Sequence, residues 1–288
     1  MATRARAEPE RGGTVKRRRI LLLCRAGLLG LVPSAAFADG AAEMQKKLQN
    51  PLANIKAIMN DNVIGFDTGN TDGTSYGFQL QPVYAIDFSD RGFTFINRAV
   101  IPIMGLEPGT DTRITGQPEP GETDSVWGLG DTVYQGFFAP HTDAGWKWGA
   151  GPQISLATAT DSRLEGPQWG AGVAGVLVGN FTEDLAFAGI IANQWGFEGD
   201  FSTMILQPMF FYAVGAGKSV AYNAVISADW KADSSNRWTV PLGLSWNQTI
   251  DMGGGNGLEY IIGPYYNVVR PDGAASWELR FGVNLLFP

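Results

Sequence analysis

Hydrophobic and polar residues alternate along most of the chain after Ile55. The clearest case is the segment 76–88, in which every second residue is apolar or aromatic and the others are small or polar. A period of two is that of a β-strand, because successive side chains of a strand point to opposite faces. A face of this length suits a strand of about 9–11 residues that crosses a bilayer at a tilt. The face consists of Tyr76, Phe78, Leu80, Pro82, Tyr84, Ile86 and Phe88.

The same alternation returns in three segments of the C-terminal half, 221–230, 238–247 and 277–287. Segment 238–247 carries Trp near both ends, where the aromatic girdles of a membrane barrel lie. The polar faces hold Gly, Gln, Asn and Ser with few charges, whereas the polar face of a water-soluble sandwich meets water and is usually rich in Lys and Glu. This composition is typical of a crowded barrel interior.

Turn residues divide the chain into about twelve strands. The even-numbered connections are short, and the longest connection, Met104–Val126, is odd-numbered. This asymmetry predicts an all-β fold, a transmembrane up-and-down antiparallel β-barrel of about 12 strands, although ten or fourteen strands are also compatible with the pattern. The predicted strands cover residues 55–67, 74–89, 92–103, 127–139, 145–159, 169–180, 184–197, 202–214, 218–231, 236–250, 256–269 and 275–287.

Six prolines lie inside these predicted strands. Proline lacks the N–H group that a strand donates to its neighbour, so each proline removes a hydrogen bond from the ladder. We expect the prolines to mark bulges that bend the strands. They are Pro82, Pro102, Pro152, Pro208, Pro241 and Pro264.

The first 38 residues have the pattern of a secretory signal peptide. The basic run Lys16–Arg19 precedes the apolar stretch Ile20–Val32, and a small-x-small site ends at Ala38, where we expect cleavage. The single cysteine, Cys24, lies within this segment, so the mature chain has no disulfide and no thiolate metal ligand. The prediction is an exported protein with one barrel domain, residues 39–288.

A short helix is predicted between the signal peptide and the first strand. Met44, Leu48, Leu52 and Ile55 recur at spacings of three and four, the period of an α-helix. Pro51 restricts the helix to the residues before it, about 41–50.

The charge of the mature chain excludes one class of partner. After Ala38 the chain has 13 basic and 26 acidic residues, a net charge of −13. Binding to phosphate backbones requires basic patches, so nucleic acid is excluded as a partner.

Two motifs resemble ligand sites but have simpler structural interpretations. Gly170–Gly175 matches GxGxxG, yet it leads into Val176-Leu177-Val178 rather than into the helix that a dinucleotide fingerprint requires. Asp67–Gly73 resembles a calcium loop, but Phe78 stands at the twelfth position, where a bidentate Glu is needed. The sequence therefore indicates no cofactor and no metal.

His141 is the only histidine and hence the only candidate base for an outer-membrane hydrolase or acyltransferase. It lies in a short Pro-His-Thr-Asp-Ala-Gly turn, and no Ser stands at a nucleophile elbow. A solvated turn residue is the favoured interpretation, so the chain is predicted not to be an enzyme.

The residues that alternate with the apolar face are predicted to line the barrel lumen. Charged groups inside a barrel must pair or meet water. An internal network that plugs the lumen and a polar lining for a permeation path are equally compatible with the sequence. The predicted lining residues are Gln79, Gln81, Asp87, Arg98, Asp131, Gln135, Gln207, Asp229, Glu259, Glu278 and Arg280.

A series of short motifs runs from Asn50 to the C-terminus. The motifs are Asn50-Pro51-Leu52-Ala53, Leu80-Gln81-Pro82, Arg98 followed by Ile101-Pro102, Gly128-Leu129-Gly130-Asp131, Trp148-Gly149-Ala150-Gly151-Pro152, Thr158-Ala159-Thr160-Asp161, Asn193-Gln194-Trp195-Gly196-Phe197, Leu206-Gln207-Pro208, Trp238-Thr239-Val240-Pro241 and Leu285-Leu286-Phe287-Pro288. In order and spacing they resemble the bacterial outer-membrane proteins of the phenol-degradation meta-cleavage pathway, a family also labelled as transporters or as neuromedin U. The chain departs from the broader barrel pattern in ending with Pro288 after the aromatic residue.

The resemblance implies an outer-membrane barrel of Gram-negative bacteria that moves small, often hydrophobic or aromatic, molecules. It implies no catalytic residues. The predicted function is therefore a porin-like channel or transporter, with a structural barrel of plugged lumen as the alternative and a lipid-modifying enzyme that uses His141 as a weaker one. The expected partners are outer-membrane lipid, the small-molecule solute and the barrel-assembly machinery.

Overall fold

The computed structural model describes residues 35–69, 72–106, 124–198 and 201–288, in which one α-helix, α1 (Ala35–Leu48), precedes 15 strand segments. The segments are β1 Lys56–Thr68, β2 Gly73–Phe88, β3 Phe93–Leu106, β4 Val126–Leu129, β5 Thr132–Pro140, β6 Lys147–Leu156, β7 Gly170–Asn180, β8 Leu185–Gly196, β9 Ser202–Gly215, β10 Lys218–Tyr222, β11 Ile226–Asp229, β12 Trp238–Gly243, β13 Ser245–Gly253, β14 Asn256–Val269 and β15 Trp277–Phe287.

These 15 segments form 12 barrel strands because three strands are each interrupted once. The two halves of each interrupted strand pair with the same neighbour: β4 and β5 with β3, β10 and β11 with β9, and β12 and β13 with β14. The predicted fold, an antiparallel barrel of about 12 strands, is confirmed.

The sheet closes on itself between β1 and β15, which pair from Lys56 with Phe287 to Phe66 with Trp277. Closure leaves no edge strand with unpaired backbone N–H and C=O groups. Such groups could not bind water inside a bilayer. We call the end with Lys56 and Phe287 the terminal end and the opposite end, with Thr68 and Trp277, the far end.

Short connections join the strands at the terminal end. Among them is the two-residue turn Gly254-Gly255 between β13 and β14, in which φ is 63° and 83°. This left-handed backbone favours glycine and matches the twist of a hairpin. The far end carries the longer connections, including the predicted loop Met104–Val126, whose residues 107–123 lie outside the described residues.

Apolar side chains face outward along the strands, and aromatic rings collect near both ends. At the far end Tyr266 and Trp277 lie 4.8 Å apart between ring centroids. At the terminal end Trp146 and Phe181 lie 5.3 Å apart. An exposed apolar band between two aromatic rims is the surface of a barrel that faces lipid. Exposed members of the band include Val173, Leu177, Ile191, Leu242 and Ile262.

The prolines inside the strands coincide with interruptions or shifts of the hydrogen-bond ladders. The register of β2 with β3 has no pair at Pro82, and that of β5 with β6 has none opposite Pro152. The expected local distortions are therefore present. The ladders also shift or change partner beside Pro102, Pro208, Pro241 and Pro264.

Helix α1 spans Ala35–Leu48, so it starts and ends earlier than the predicted range of about 41–50. The early start adds Ala35, Ala36 and Ala38, which have the highest helix propensity. Residues 1–34 of the predicted signal peptide lie outside the described residues. Among the described residues, no helix is long and apolar enough to cross a membrane.

Candidate functional site: the barrel interior

Arg98 lies in a row of amide side chains on the inner wall. Its Nη2 donates a hydrogen bond to Gln81 Oε1 at 2.7 Å, and its Nη1 donates to Gln135 Oε1 at 2.8 Å. Gln135 Nε2 donates to Gln153 Oε1 at 2.8 Å, and Gln81 Nε2 donates to Gln79 Oε1 at 3.0 Å. The row follows the neighbouring strands β2, β3, β5 and β6, because each residue occupies an inward position of its strand. In the described part of the chain Arg98 forms no ion pair, so its direct hydrogen-bond partners are amide oxygens.

Arg280 is held differently, by an ion pair across the closing ladder. Its Nη2 donates to Asp61 Oδ2, which joins β15 to β1. The guanidinium also lies 5.7 Å from the ring centroid of Tyr265, a fully buried residue of β14. Glu278, two residues before Arg280, accepts a hydrogen bond from Asn267 Nδ2 at 2.8 Å.

A third polar group lies on β13, β14 and β15. Asn284 Nδ2 donates to Glu259 Oε2 at 2.9 Å, and Ser245 Oγ donates to Asn247 Oδ1 at 2.9 Å. All four residues are buried, and the Nδ2 of Asn247 has no hydrogen-bond partner among the described residues. We refer to the three groups together as the polar belt: Asp61, Gln81, Arg98, Gln135, Gln153, Asn247, Glu259, Arg280 and Asn284.

Several side chains of the polar belt are almost fully shielded from solvent. Gln135 is 5%, Gln153 3%, Glu259 3% and Arg280 7% exposed. Side chains around a broad water-filled channel would be more accessible than this. The hydrogen bonds and the ion pair of the belt join neighbouring strands along the inner wall. The two arrangements that the sequence allows, a plugged lumen and a polar permeation path, both stay predictions.

Apolar residues and the N-terminal segment close the terminal end of the interior. Gln45 and Gln49 of α1 both donate to Ser219 Oγ on β10, at 3.0 and 3.1 Å. Further along the chain, Leu52 packs in a cluster with inward residues of other strands, among them Phe137 of β5. The segment therefore passes across the lumen from β10 to the opposite wall. Met44 and Leu48 pack in a second cluster with Ile55, Ala57 and Leu286.

Asp131, one of the predicted lining residues, anchors a far-end connection. It lies between β4 and β5, is 5% exposed, and its carboxylate accepts four backbone N–H groups. These belong to Thr158 and Ala159, both at 3.1 Å, and to Gly166 and Gln168, at 2.8 and 2.7 Å. Its contacts thus fix the connection between β6 and β7 against the barrel.

The same connection contains a half-buried ion pair. Arg163 Nε donates to Asp161 Oδ1 at 2.9 Å, and the backbone N–H of Arg163 donates to the same oxygen at 3.0 Å. These hydrogen bonds to the carboxylate lower the pKa of Asp161 from 3.8 to about 2.

Three other predicted lining residues also have partners outside the belt. Asp229 accepts the backbone N–H of Lys231 at 2.8 Å near the far end, and Gln207 donates to the carbonyl of Asn223 at 3.1 Å. Asp87 is exposed at the terminal end. A lining role for these residues stays a prediction.

His141 lies at the terminal end beside a cavity of about 260 Å³. Its Nε2 is 3.2 Å from Asp87 Oδ1 and 3.1 Å from Thr94 Oγ1, while Ser89 Oγ donates to Asp87 Oδ2 at 2.8 Å. In a hydrolase triad the carboxylate and the nucleophile bind opposite ring nitrogens. Here both the carboxylate and the hydroxyl face Nε2, so the geometry does not support catalysis by His141.

The sequence did not reveal Asp61 or Tyr265 as members of the interior. The strand with Asp61 has a weak signal, because its outward face carries Asn60 and Asn62 between apolar residues. In the structure Tyr76 OH donates to Asn62 Oδ1 at 2.7 Å, and Asn62 Nδ2 donates to Asn60 Oδ1 at 2.9 Å. Asn60 Nδ2 in turn donates to the carbonyl of Val283 on β15, so neighbouring groups satisfy both outward-facing amides, an arrangement that the pattern of single residues does not show.

Comparison with known proteins places the fold among outer-membrane barrels. The structure is similar to an outer-membrane channel from Pseudomonas putida F1, with a TM-score of 0.59 and 15% identity over 83% of this chain and 98% of that one. It is also similar to the NanC porin, with a TM-score of 0.50 and 10% identity over 81% of this chain and 99% of that one. The shared feature is the fold. No protein-family model and no curated protein matches the sequence.

Proposed function

We propose that the protein is a channel of the bacterial outer membrane for small solutes. The observation that carries this proposal is the polar belt inside a closed barrel whose outer surface is apolar and bounded by aromatic rims. A barrel that served only as a membrane anchor would not need ionised side chains in its interior, where they are costly unless paired. The two similar structures, described as an outer-membrane channel and a porin, support the same function.

The signal peptide, 1–38, would deliver the chain to the periplasm, and the barrel-assembly machinery would insert it. The terminal end then faces the periplasm and the far end the exterior, because short turns of such barrels face the periplasm. Outer-membrane lipid surrounds the apolar band. The order of the sequence motifs supports membership of the phenol meta-pathway family.

The transported solutes are small and hydrophobic or aromatic. Support for this class comes from the family resemblance and from the low exposure of the belt side chains, which a broad water-filled channel would leave more accessible. The proposed solute class is tested by measuring the flux of phenol and of a small sugar into vesicles that contain the protein. Faster entry of phenol than in protein-free vesicles, without entry of the sugar, supports the proposed class.

The segment formed by α1 and the residues up to Leu52 keeps the terminal end closed at rest. We expect the full mature protein to conduct weakly in a planar bilayer and a variant without residues 40–52 to conduct more. A matched control replaces Gln45 and Gln49 with Ala, which removes both hydrogen bonds to Ser219 but keeps the helix, and should give an intermediate conductance.

The burial of the polar belt also favours a second candidate function, a structural barrel with a permanently plugged lumen. The same recordings separate the two functions. A deletion variant that is folded but conducts no ions, together with a lack of phenol flux, would reject the channel and leave the structural barrel.

A further inference from the structure

A cleft of about 410 Å³ lies on the outer wall, near the terminal end, where β1, β2, β3 and β5 adjoin. Its volume falls within the range of about 300–1,000 Å³ that is typical of small-molecule sites. Outward-facing residues form most of its lining, and several of them are exposed. They include Ile58, Pro82, Tyr84, Ala99, Tyr134 and Phe287.

The cleft exists because the wall is locally incomplete. The ladder between β2 and β3 has no pair at Pro82, whose missing N–H cannot bridge to β3. The residue opposite, Ala99, has a small side chain and does not fill the gap. The depression is thus part of the barrel wall itself and lies beside the belt residue Arg98, which also contributes to the lining.

The polar side chains around the cleft are already satisfied by the protein. Tyr134 OH donates to Asn97 Oδ1 at 2.6 Å, and Asn97 Nδ2 donates to the carbonyl of Tyr84 at 3.2 Å. The tyrosine and asparagine side chains therefore present mainly apolar surface to an occupant. In a bilayer such a depression is covered by hydrocarbon, because water is absent and an empty cleft would forfeit dispersion contacts.

One cation stands at the mouth of the cleft. Lys56 begins β1, is exposed on the same outward face as Ile58, and pairs along the ladders with Phe287 and Tyr84. In the described part of the chain it forms no ion pair. A lysine near the end of a membrane-facing strand extends its ammonium group toward the lipid headgroups.

We propose that this cleft binds one glycerophospholipid, with an acyl chain in the cleft and the phosphate against Lys56. The proposal rests on the membrane location proposed above and goes beyond the channel function. Charge complementarity favours an anionic headgroup, since Lys56 supplies a positive charge and the adjoining lining is apolar. The lipid would seal the wall beside Arg98, where the protein leaves its own ladder open.

Native mass spectrometry of the detergent-solubilised protein tests the proposal, with palmitoyl-oleoyl phosphatidylglycerol as the added lipid. The wild-type barrel should retain one lipid after removal of the micelle. Lys56→Gln should weaken retention about fivefold, the effect of one cationic side chain at an anionic lipid surface. Ala99→Phe should abolish retention by filling the cleft. The matched control is Lys147→Gln, because Lys147 also begins a strand at the terminal end and is exposed, but lies outside the cleft.

The outcomes separate this inference from the channel function. Absence of a discrete lipid adduct in the wild type overturns the proposed lipid site. Equal lipid retention in the wild type and in either cleft variant also overturns it. The heat-dependent shift on a gel verifies that each variant is folded. A protein that retains the lipid but conducts no ions supports the lipid site while rejecting the channel.

Discussion

At the scale of single residues, two inward-facing arginines are stabilised by different means. Arg98 donates to two amide groups, those of Gln81 and Gln135. Both residues could be predicted as inward, because they occupy inward positions of clearly alternating strands. Arg280 depends on Asp61, which belongs to a strand with an irregular pattern. Partners of inward charges can thus be predicted only when both strands alternate clearly.

Replacing Arg280 with Gln should lower the free energy of unfolding by about 3 kcal/mol, the lower part of the range for breaking a buried pair, because Asp61 keeps 29% exposure. Arg280→Glu should destabilise more, since it places a third carboxylate beside Asp61 and Glu278. Urea unfolding in micelles, followed by tryptophan fluorescence, measures the change. The double variant Asp61→Arg with Arg280→Asp should recover part of the loss. If Arg280→Glu instead shifts ion selectivity towards cations and leaves the stability unchanged, the interior is water-filled.

The ion pair of Asp161 and Arg163 makes a prediction about pH. The pKa of Asp161 is lowered from 3.8 to about 2. The contribution of the pair to the stability of the folded protein is therefore fully present above pH 3.8 and is lost as the pH falls through about 2. Carboxyl ¹³C NMR should find Asp161 ionised at pH 3. In Arg163→Gln its titration should move up towards 3.8. An Asp161 that titrates alike in both proteins would contradict the geometry of the loop.

At the scale of elements, alternation together with the turn residues predicted a barrel of about twelve strands, as the structure has. It could not predict where three of them break, since the breaks depend on which neighbour each residue faces: β10 and β11, for example, are separated at residues 223–225 although the apolar pattern continues. The helix was found from its apolar spacing, yet its position across the lumen follows from the Gln45 and Gln49 contacts with Ser219, a residue 170 or more positions away.

The connections make a topological prediction. With the terminal end in the periplasm, the loop Met104–Val126 lies on the cell surface, and its glycines and prolines make it accessible to proteases. Proteinase K added to intact cells should cut within this loop and spare the turn at His141, which is at the opposite end of the barrel. Fragments are identified by mass after membrane extraction, with permeabilised cells as the control. Cleavage at His141 in intact cells would invert the topology.

At the scale of the whole molecule, the barrel combines a feature that sequence shows with two that it does not. The apolar exterior is a property of each strand and can be seen strand by strand. The polar belt and the closed terminal end arise only when residues far apart in the sequence meet, as Arg280 meets Asp61 and as Gln45 meets Ser219. The sequence therefore predicted a polar interior but left its open and filled forms equal.

Closure of the sheet predicts how the whole protein behaves during electrophoresis. A barrel without edges resists SDS until it is heated, because every strand is paired on both sides and no segment can leave alone. The unboiled protein should migrate apart from the boiled form, and its circular dichroism in detergent should be dominated by strand. A variant that ends at residue 276 lacks β15, which supplies the partner of β1, so the unboiled and boiled forms of that variant should migrate alike. A full-length protein that is soluble without detergent and gives a helical spectrum would contradict the membrane barrel. A truncated variant that still shifts on heating would show that β1 and β14 can close the sheet without the last strand.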